Sequence, residues 1–402
     1  MRLSKTKLLT FLLFLISFNI PSLRAQVLAP QDTLKLDTSK IVESVHPQDV
    51  KKAKVQIGFS GFVKLNTYYD RFGLEGTEGF VPYNIPIDSF RNVNSTGLYI
   101  GARQSRFGLE ATKLTSLGPV KAYIEADFAG TEGRYNMRLR HAYGQIAYFT
   151  VGHTWTTFTD LEAIPYTVDF EGPNSLIGVR QGLIRFEQNL SKRIEYGLGV
   201  ENPSSDFYNP YDSTGLRKRQ TDFDLVVRIK WKKKHSHIQL AGVGRRISYL
   251  NINAERKAIL GWGVLLSGVF NIKEKEKIYF QYIIGKGVAR YIGGLEGKQL
   301  DAYPNNNGEI EALPVYGGYF AFEHIWGKKF FSTIILGQTS LGSIDGLPPN
   351  FYSYSFYGSI NTFFNLLENL QLGGELTIGN RVNKDLKTGF AERFQFMAKF
   401  TF

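Results

Sequence analysis

From Phe390 to Phe402 the chain reads FAERFQFMAKFTF. Phe394, Phe396, Ala398, Phe400 and Phe402 share one face of an extended strand, and Arg393, Gln395, Met397, Lys399 and Thr401 share the other. A period of two, apolar against polar, predicts a strand with hydrocarbon on one side and water on the other. The alternation recurs upstream. Val120, Ala122, Ile124, Ala126 and Phe128 oppose Lys121, Tyr123, Glu125 and Asp127, while Phe223, Leu225, Val227, Ile229 and Trp231 oppose Asp222, Asp224, Arg228 and Lys230. Turning a Lys or Arg of such a strand to the bilayer midplane costs roughly 2 to 4 kcal/mol, so the charges fix the register as firmly as the apolar residues do.

Sixteen extended runs can be drawn from 55–69 to 390–402, including 96–111, 120–128, 137–147, 149–155 and 177–186. Their connections alternate in length. Long ones such as 70–95, 156–176, 202–221, 292–314 and 339–350 are separated by short ones such as 112–119, 187–193, 232–236, 273–276 and 327–329. Tight periplasmic turns and elaborated external loops give this asymmetry in bacterial barrels. The fold class is therefore all-β: an antiparallel transmembrane β-barrel of about 16 strands with both termini on the periplasmic side. No stretch offers the run of some 18 apolar residues that a helical span requires.

Composition sharpens this picture at the N-terminus. Arg2, Lys5 and Lys7 precede the apolar run Leu8–Phe18, and Leu23-Arg24-Ala25 supplies a cleavage site, so residues 1–25 are expected to be a secretory signal peptide. The chain has no cysteine, which excludes lipoprotein anchoring and a disulfide framework. Residues 26–54 are polar and aperiodic and are expected to be a flexible periplasmic segment, leaving 55–402 for the barrel. The formal charge of +12 includes four cations of the signal, so the mature chain carries 44 cations against 36 anions, a net +8. These charges are dispersed through turns and one strand face, unlike the basic footprint of a nucleic-acid binder, and no nucleic-acid partner is expected. The 31 Phe and 22 Tyr suit the aromatic girdles of a barrel whose partner is outer-membrane lipid. The terminal strand ending at Phe402 is of the kind handed to the outer-membrane assembly machinery.

A barrel of this size is wide enough for an aqueous channel, so function rests on what narrows it. The connection 156–176 carries Asp160, Glu162, Asp169 and Glu171 with Pro165, Gly172 and Pro173, and is the candidate to fold inward as an eyelet. Opposite an acidic loop, a wall bearing arginines sets up a transverse field that sorts charged solutes. Arg138 and Arg140 share a parity, which assigns Leu139, His141 and Tyr143 to the outer face; Arg185 lies between Ile184 and Phe186, and Arg106 precedes Phe107. Arg103 and Arg180 have the opposite parity to these neighbours, so a bulge near Gly101 or Gly182, or a place at a subunit interface, is needed to use them.

Five segments taken in order, Ala102–Gly108 (ARQSRFG), Tyr123–Phe128 (YIEADF), Arg138–Gly144 (RLRHAYG), Val151–Phe158 (VGHTWTTF) and Val168–Ser175 (VDFEGPNS), resemble the DcaP-like porin family of Gram-negative outer membranes. The resemblance runs from about residue 55 to the C-terminus. It implies a homotrimer of sixteen-stranded barrels passing small hydrophilic solutes, often negatively charged, such as dicarboxylates. By position it brings Arg103, Arg106, Arg138, Arg140 and Arg180 as basic candidates and Asp160, Asp169 and Glu171 as members of the loop. Family members can carry an N-terminal periplasmic coiled coil, for which residues 26–54 have no heptad pattern.

Three other readings compete. An outer-membrane hydrolase needs a nucleophile beside a base, and no Gly-x-Ser-x-Gly elbow occurs; His141 and His153 take the parity of outer aromatics, which suits an interface or girdle. A plugged adhesive barrel would use Tyr83, Phe207, Tyr208 and Tyr211 of the long loops for recognition. A sugar channel would use Trp155, Tyr166 and Phe170 near the eyelet, although aromatics of such loops more often pack on themselves. No cofactor is indicated, and His235-Ser236-His237 lacks the further ligands of a metal site.

Overall fold

The computed structural model describes residues 54–402 apart from 73, 75–77, 89–95, 132, 205, 209–216 and 252. The signal 1–25, the segment 26–53 and Tyr211 lie outside the described residues.

Sixteen antiparallel staves close into a cylinder. They are β1 (Gln56–Arg71), β2 in two pieces (Gly97–Gly101 and Arg106–Thr115), β3 (Gly118–Asp127), β4 (Arg138–Ile146), β5 (Phe149–Trp155), β6 (Arg180–Asn189), β7 (Ile194–Glu201) and β8 (Asp224–Lys233). The second half comprises β9 (Ser236–Leu250), β10 (Arg256–Lys273), β11 (Glu276–Lys286), β12 (Pro314–Gly327), β13 (Phe330–Leu341), β14 (Tyr352–Leu367), β15 (Leu370–Asn383) and β16 (Thr388–Thr401). A two-residue strand, Arg217–Lys218, adds to the outer end of β9. The seam between first and last staves runs from Phe62 opposite Thr401 to Arg71 opposite Glu392. There the fully buried Arg393 grips Asp70 with both ends of its guanidinium, at 2.5 and 2.7 Å, and lies 4.1 Å over the Tyr68 ring.

The alternating connection lengths follow the sequence. Pairs of staves are joined by two-residue turns at 116–117, 147–148, 234–235, 274–275, 328–329 and 368–369. Ala147 and Lys234 adopt positive φ (48° and 53°), the geometry that matches a tight turn to strand twist. The intervening connections are longer, among them 72–96, 156–179 and 287–313.

Charge parity holds through most of the wall. Phe394, Phe396, Phe400 and Phe402 are exposed on the outside of β16 while Arg393, Gln395 and Met397 are buried, and β8 shows the same division between Leu225, Val227, Ile229 and Trp231 outside and Asp224 and Lys230 inside. A bulge in β4 reverses it. Glu125 pairs with His141 but Ala126 pairs with Leu139, so Arg140 is an inserted bulge residue. Leu139 is 50% exposed, whereas Arg140 (3%), His141 (0%) and Tyr143 (6%) all turn inward. The outward placement of His141 and Tyr143 expected from simple alternation is thereby corrected, because one extra residue reverses parity beyond it.

The cylinder is partly filled. Val226, Ala241, Val243, Leu265, Ile283, Val315 and Leu341, inward residues of β8–β13, are buried with Phe158 and Ile177 of one long loop and with Val288, Ala289, Tyr291, Ile292, Leu295 and Leu300 of another. Apolar side chains aimed into a water-filled lumen would have no partner. Here two loops bury them, at roughly 1.5 to 3 kcal/mol for each large side chain removed from water. Leu74, Phe80 and Ile85 of the first external loop belong to a second cluster with Ile335, Tyr357 and Ala391.

Candidate permeation site

The connection 156–179 runs around the inside of the wall. Thr156 and Thr157 bond Glu201 of β7 at 2.5 and 2.6 Å. Asp160 accepts from Lys230 of β8 (2.9 Å), His237 of β9 (2.7 Å) and Ser267 of β10 (2.8 Å). Farther on, Ala163 accepts from Tyr319 of β12, Tyr166 from Asn361 of β14 and Val168 from Lys64 of β1, while the Val168 amide donates to Glu375 of β15. Asp169 receives Gln395 of β16 at 3.0 Å and the Phe80 amide at 2.9 Å. The chain then returns through Asn174 to Ser355 of β14, Ser175 to Thr339 of β13 and Ile177 to Gln281 of β11. A segment that touches β7 through β16 and β1 reaches them all from within the cylinder. It covers that arc and leaves β2–β6 opposite.

Two of the four acidic loop residues act as fasteners. Asp160 is fully buried; burial alone would raise its carboxyl, but the Lys230 ammonium and the bond from His237 outweigh that and hold it well below the usual carboxylate range. Asp169 also takes the amides of Glu171 (2.9 Å) and Gly172 (3.2 Å), closing the loop tip on itself, with Arg393 at 3.8 Å. Glu162 lies 3.8 Å from Lys230 and 3.5 Å from His237. Glu171 is set differently. Its carboxyl is pushed up to about 7 by burial and by the neighbouring charges of Asp169 and Glu296, against the pull of Arg138 and Arg180.

The uncovered wall carries the arginines. Arg138 of β4 grips Asp127 of β3 at 3.1 and 2.7 Å and lies 5.2 Å over Phe170 of the loop. Arg140 joins Glu125 and Asp127, each at 2.8 Å, and Arg106 of β2 approaches Glu125 at 3.4 Å. Three guanidinium groups thus gather around the carboxylates of Glu125 and Asp127. Arg185 of β6 pairs with Glu187 at 2.8 Å and donates to the Trp155 carbonyl. Arg103 sits in the break between the two pieces of β2, just after Gly101, and pairs with Glu78 of the first loop at 3.0 Å. Arg180 opens β6 above the Trp155 ring, 4.3 Å from its centre. The pairing of β5 with β6 runs unshifted from Phe149–Phe186 to Trp155–Arg180, so the bulge expected near Gly182 is absent and the irregularity lies at Arg140.

The aromatic candidates pack within the molecule. Tyr166 is wedged against Phe331 and Phe363, Phe207 is fully buried beside Tyr249, and Tyr83 packs on Tyr352. Sequence reasoning missed the loop 287–313. Arg290 there donates to Asp224 (3.1 Å) and Gln181 (2.7 Å), and Asp301 binds the fully buried Arg245 at 2.6 Å. The available signal was apolar residues at lumen parity, such as Val226 between Leu225 and Val227.

A sequence model of the DcaP outer membrane protein matches residues 24–402. The chain belongs to the DcaP outer membrane protein family. The fold agrees: the crystal structure of the outer membrane channel DcaP of Acinetobacter baumannii superposes with a TM-score of 0.75 at 20% identity, covering 87% of this chain and 97% of that one. An anion-selective porin from Comamonas acidovorans gives 0.59 at 11% identity over 87% of this chain and 100% of its own. OmpT of Vibrio cholerae gives 0.56 at 12% identity over 90% and 100%. No curated protein matches the sequence significantly. As a DcaP family member the protein resides in the outer membrane and is a channel-type barrel, similar in fold to porins.

Proposed function

We propose that this barrel passes small hydrophilic solutes passively and prefers anions, dicarboxylates among them. The supporting observation is the gathering of Arg106, Arg138 and Arg140 on the wall that the inward loop leaves uncovered, with Arg138 keeping 31% of its side chain accessible. One fixed charge acting on a solute at ~4 Å is worth about 1 kcal/mol in water, or roughly fivefold in a permeability ratio, so the preference is mild. The dicarboxylate assignment and a homotrimeric assembly rest on the family resemblance, with residues 1–25 acting as the export signal. Transport follows the solute gradient and needs no energy coupling.

Zero-current potentials across bilayers holding the refolded protein test this reading. R138A and R140A together are expected to lower the anion-to-cation ratio several-fold; an unchanged potential in a salt gradient would remove these residues from the mechanism. A second reading is favoured by the apolar packing of two loops on β8–β13: a plugged barrel serving structural or adhesive purposes. Folded protein that carries no current would establish it.

A further inference from the structure

We infer that the four neighbouring short turns between β6 and β13 form a basic crescent that binds the phosphodiester headgroups of anionic glycerophospholipids, such as phosphatidylglycerol, in the periplasmic leaflet of the outer membrane. Such binding is independent of what the lumen passes.

The short-turn end of a bacterial barrel faces the periplasm. There the chain reads SKR at 191–193, KKKH at 232–235, KEKE at 273–276 and GKK at 327–329. These turns follow one another along the rim, about 10 Å apart because each lies two strands from the next. Hydrogen bonds stitch them to the intervening staves. The Lys232 amide donates to the Arg193 carbonyl at 2.7 Å, the Ile325 amide to the Lys275 carbonyl at 2.8 Å and the Asn365 amide to the Lys329 carbonyl at 2.8 Å, while the Asn271 amide donates to Ser236 Oγ at 3.0 Å. The two-residue turns elsewhere on the rim, 116–117 (SL), 147–148 (AY) and 368–369 (EN), carry no cation, with Lys113 the nearest to the first of them. The positive charge is thus gathered on one arc.

Two observations direct this arc at a lipid headgroup. The first is that its outermost charges are uncommitted. Lys232 and Lys277 are satisfied by Glu195 and Glu323, but the exposed Lys192, Lys233, Lys234, Lys328 and Lys329 form no ion pair with a described residue. Cations held side by side on a rigid rim repel one another, and an anion placed between them relieves this. The second is depth. Trp231, Ile272 and Trp326 are exposed on the outside of the wall just above these turns, and indoles in that position mark the edge of the hydrocarbon. Lys233 and Lys328 each follow a Trp by two residues, an advance of about 5 to 7 Å along a tilted strand, which is the depth of the phosphate layer beyond the hydrocarbon. A lysine there lays its stem on the apolar belt and its ammonium among the phosphates. A soluble anion would use the charge alone; a lipid uses the charge and the belt together.

The two indoles supply the readout. The full refolded chain is placed in vesicles of phosphatidylcholine and phosphatidylglycerol in which one lipid or the other carries brominated acyl chains, and quenching of Trp fluorescence reports which lipid lies beside the wall; W231F/W326F identifies the part that comes from the crescent. Phosphatidylglycerol is expected to be preferred about three- to tenfold at low salt, a preference that shrinks towards unity at about 1 M salt. K233Q/K234Q/K328Q/K329Q should lose at least half of it while K113Q keeps it, with heat-shifted gel mobility showing that both variants are folded. Equal quenching by the two lipids, or an unchanged preference in the folded fourfold variant, would overturn the inference. So would loss of the preference on adding millimolar inorganic phosphate at constant ionic strength, which would make the crescent a site for free phosphate. A fourfold variant that keeps its lipid preference but no longer sediments with peptidoglycan would reassign the crescent to the cell wall and overturn it as well.

Discussion

At the scale of single residues, the position that decides most about the lumen is Asp160. Its two oxygens collect an ammonium, an imidazole and a hydroxyl from three successive staves. Removing its charge leaves Lys230 buried without its nearest counter-ion, and breaking a buried pair in this way typically costs about 3 to 5 kcal/mol. D160N should therefore unfold at lower temperature in the heat-shifted gel mobility that reports barrel unfolding, and its single-channel current should be noisier because the loop start has lost its fastener. The pH dependence has a definite sign. A carboxyl held below its ordinary value contributes stability that is fully present above the unfolded-state value, near 4, and is lost only as pH falls through the still lower folded value. Acidification from pH 7 to 5 should accordingly leave this anchor intact, and a wild-type melting temperature that dropped sharply over that interval would contradict the assignment.

At the scale of elements, the docking of the loop 287–313 is the counterpart of that anchor. Arg245, fully buried, binds Asp301 at 2.6 Å, the Gly287 carbonyl at 3.0 Å and Asp224 at 3.4 Å. Burial pushes the Asp301 carboxyl up to about 6 in spite of this guanidinium. R245A would leave the buried Asp301 without its guanidinium partner, so the loop is expected to detach, with protease cleavage appearing within 287–313 and conductance rising as the lumen widens. The staves and their two-residue turns were legible in the sequence because hydrocarbon outside and charge inside impose a period of two that one residue in error would invert, as β8 and β16 show. What defeats that reasoning is any residue whose partner is distant in sequence. The bulge at Arg140 leaves no compositional trace, yet it moves His141 from the outer face to a buried bond with Thr154. The loop 287–313 has no motif, and its place inside the barrel follows from apolar lumen-side residues of six different staves that only the closed cylinder brings together. The acidic loop 156–176 was identifiable by its carboxylates, but which of them hold the loop and which face the path depended on Lys230, His237 and Gln395, contributed from far along the chain.

At the scale of the whole molecule, a net charge of +12 overstates the field in the lumen, because the inner wall is a ladder of compensated pairs. Selectivity then depends on small imbalances, and one of them is set to titrate near neutrality. Glu171, raised to about 7 by burial and by Asp169 and Glu296 and opposed by Arg138 and Arg180, is mostly neutral at pH 6 and mostly ionised at pH 8. Raising the pH through this interval adds a negative charge near the half-buried Arg138 guanidinium, so the anion-to-cation ratio should fall, roughly twofold to fivefold at low salt, and recover on return to pH 6. E171Q should hold the ratio at its acid value throughout. E296Q, by removing a neighbouring negative charge, should shift the same transition to lower pH without abolishing it. Screening supplies an independent check: the Debye length falls from about 10 Å at 0.1 M salt to about 3 Å at 1 M, so the pH step should shrink in concentrated salt. A ratio that changes equally with pH in wild type and in E171Q would assign the titration to another group and leave Glu171 as part of the loop's packing alone.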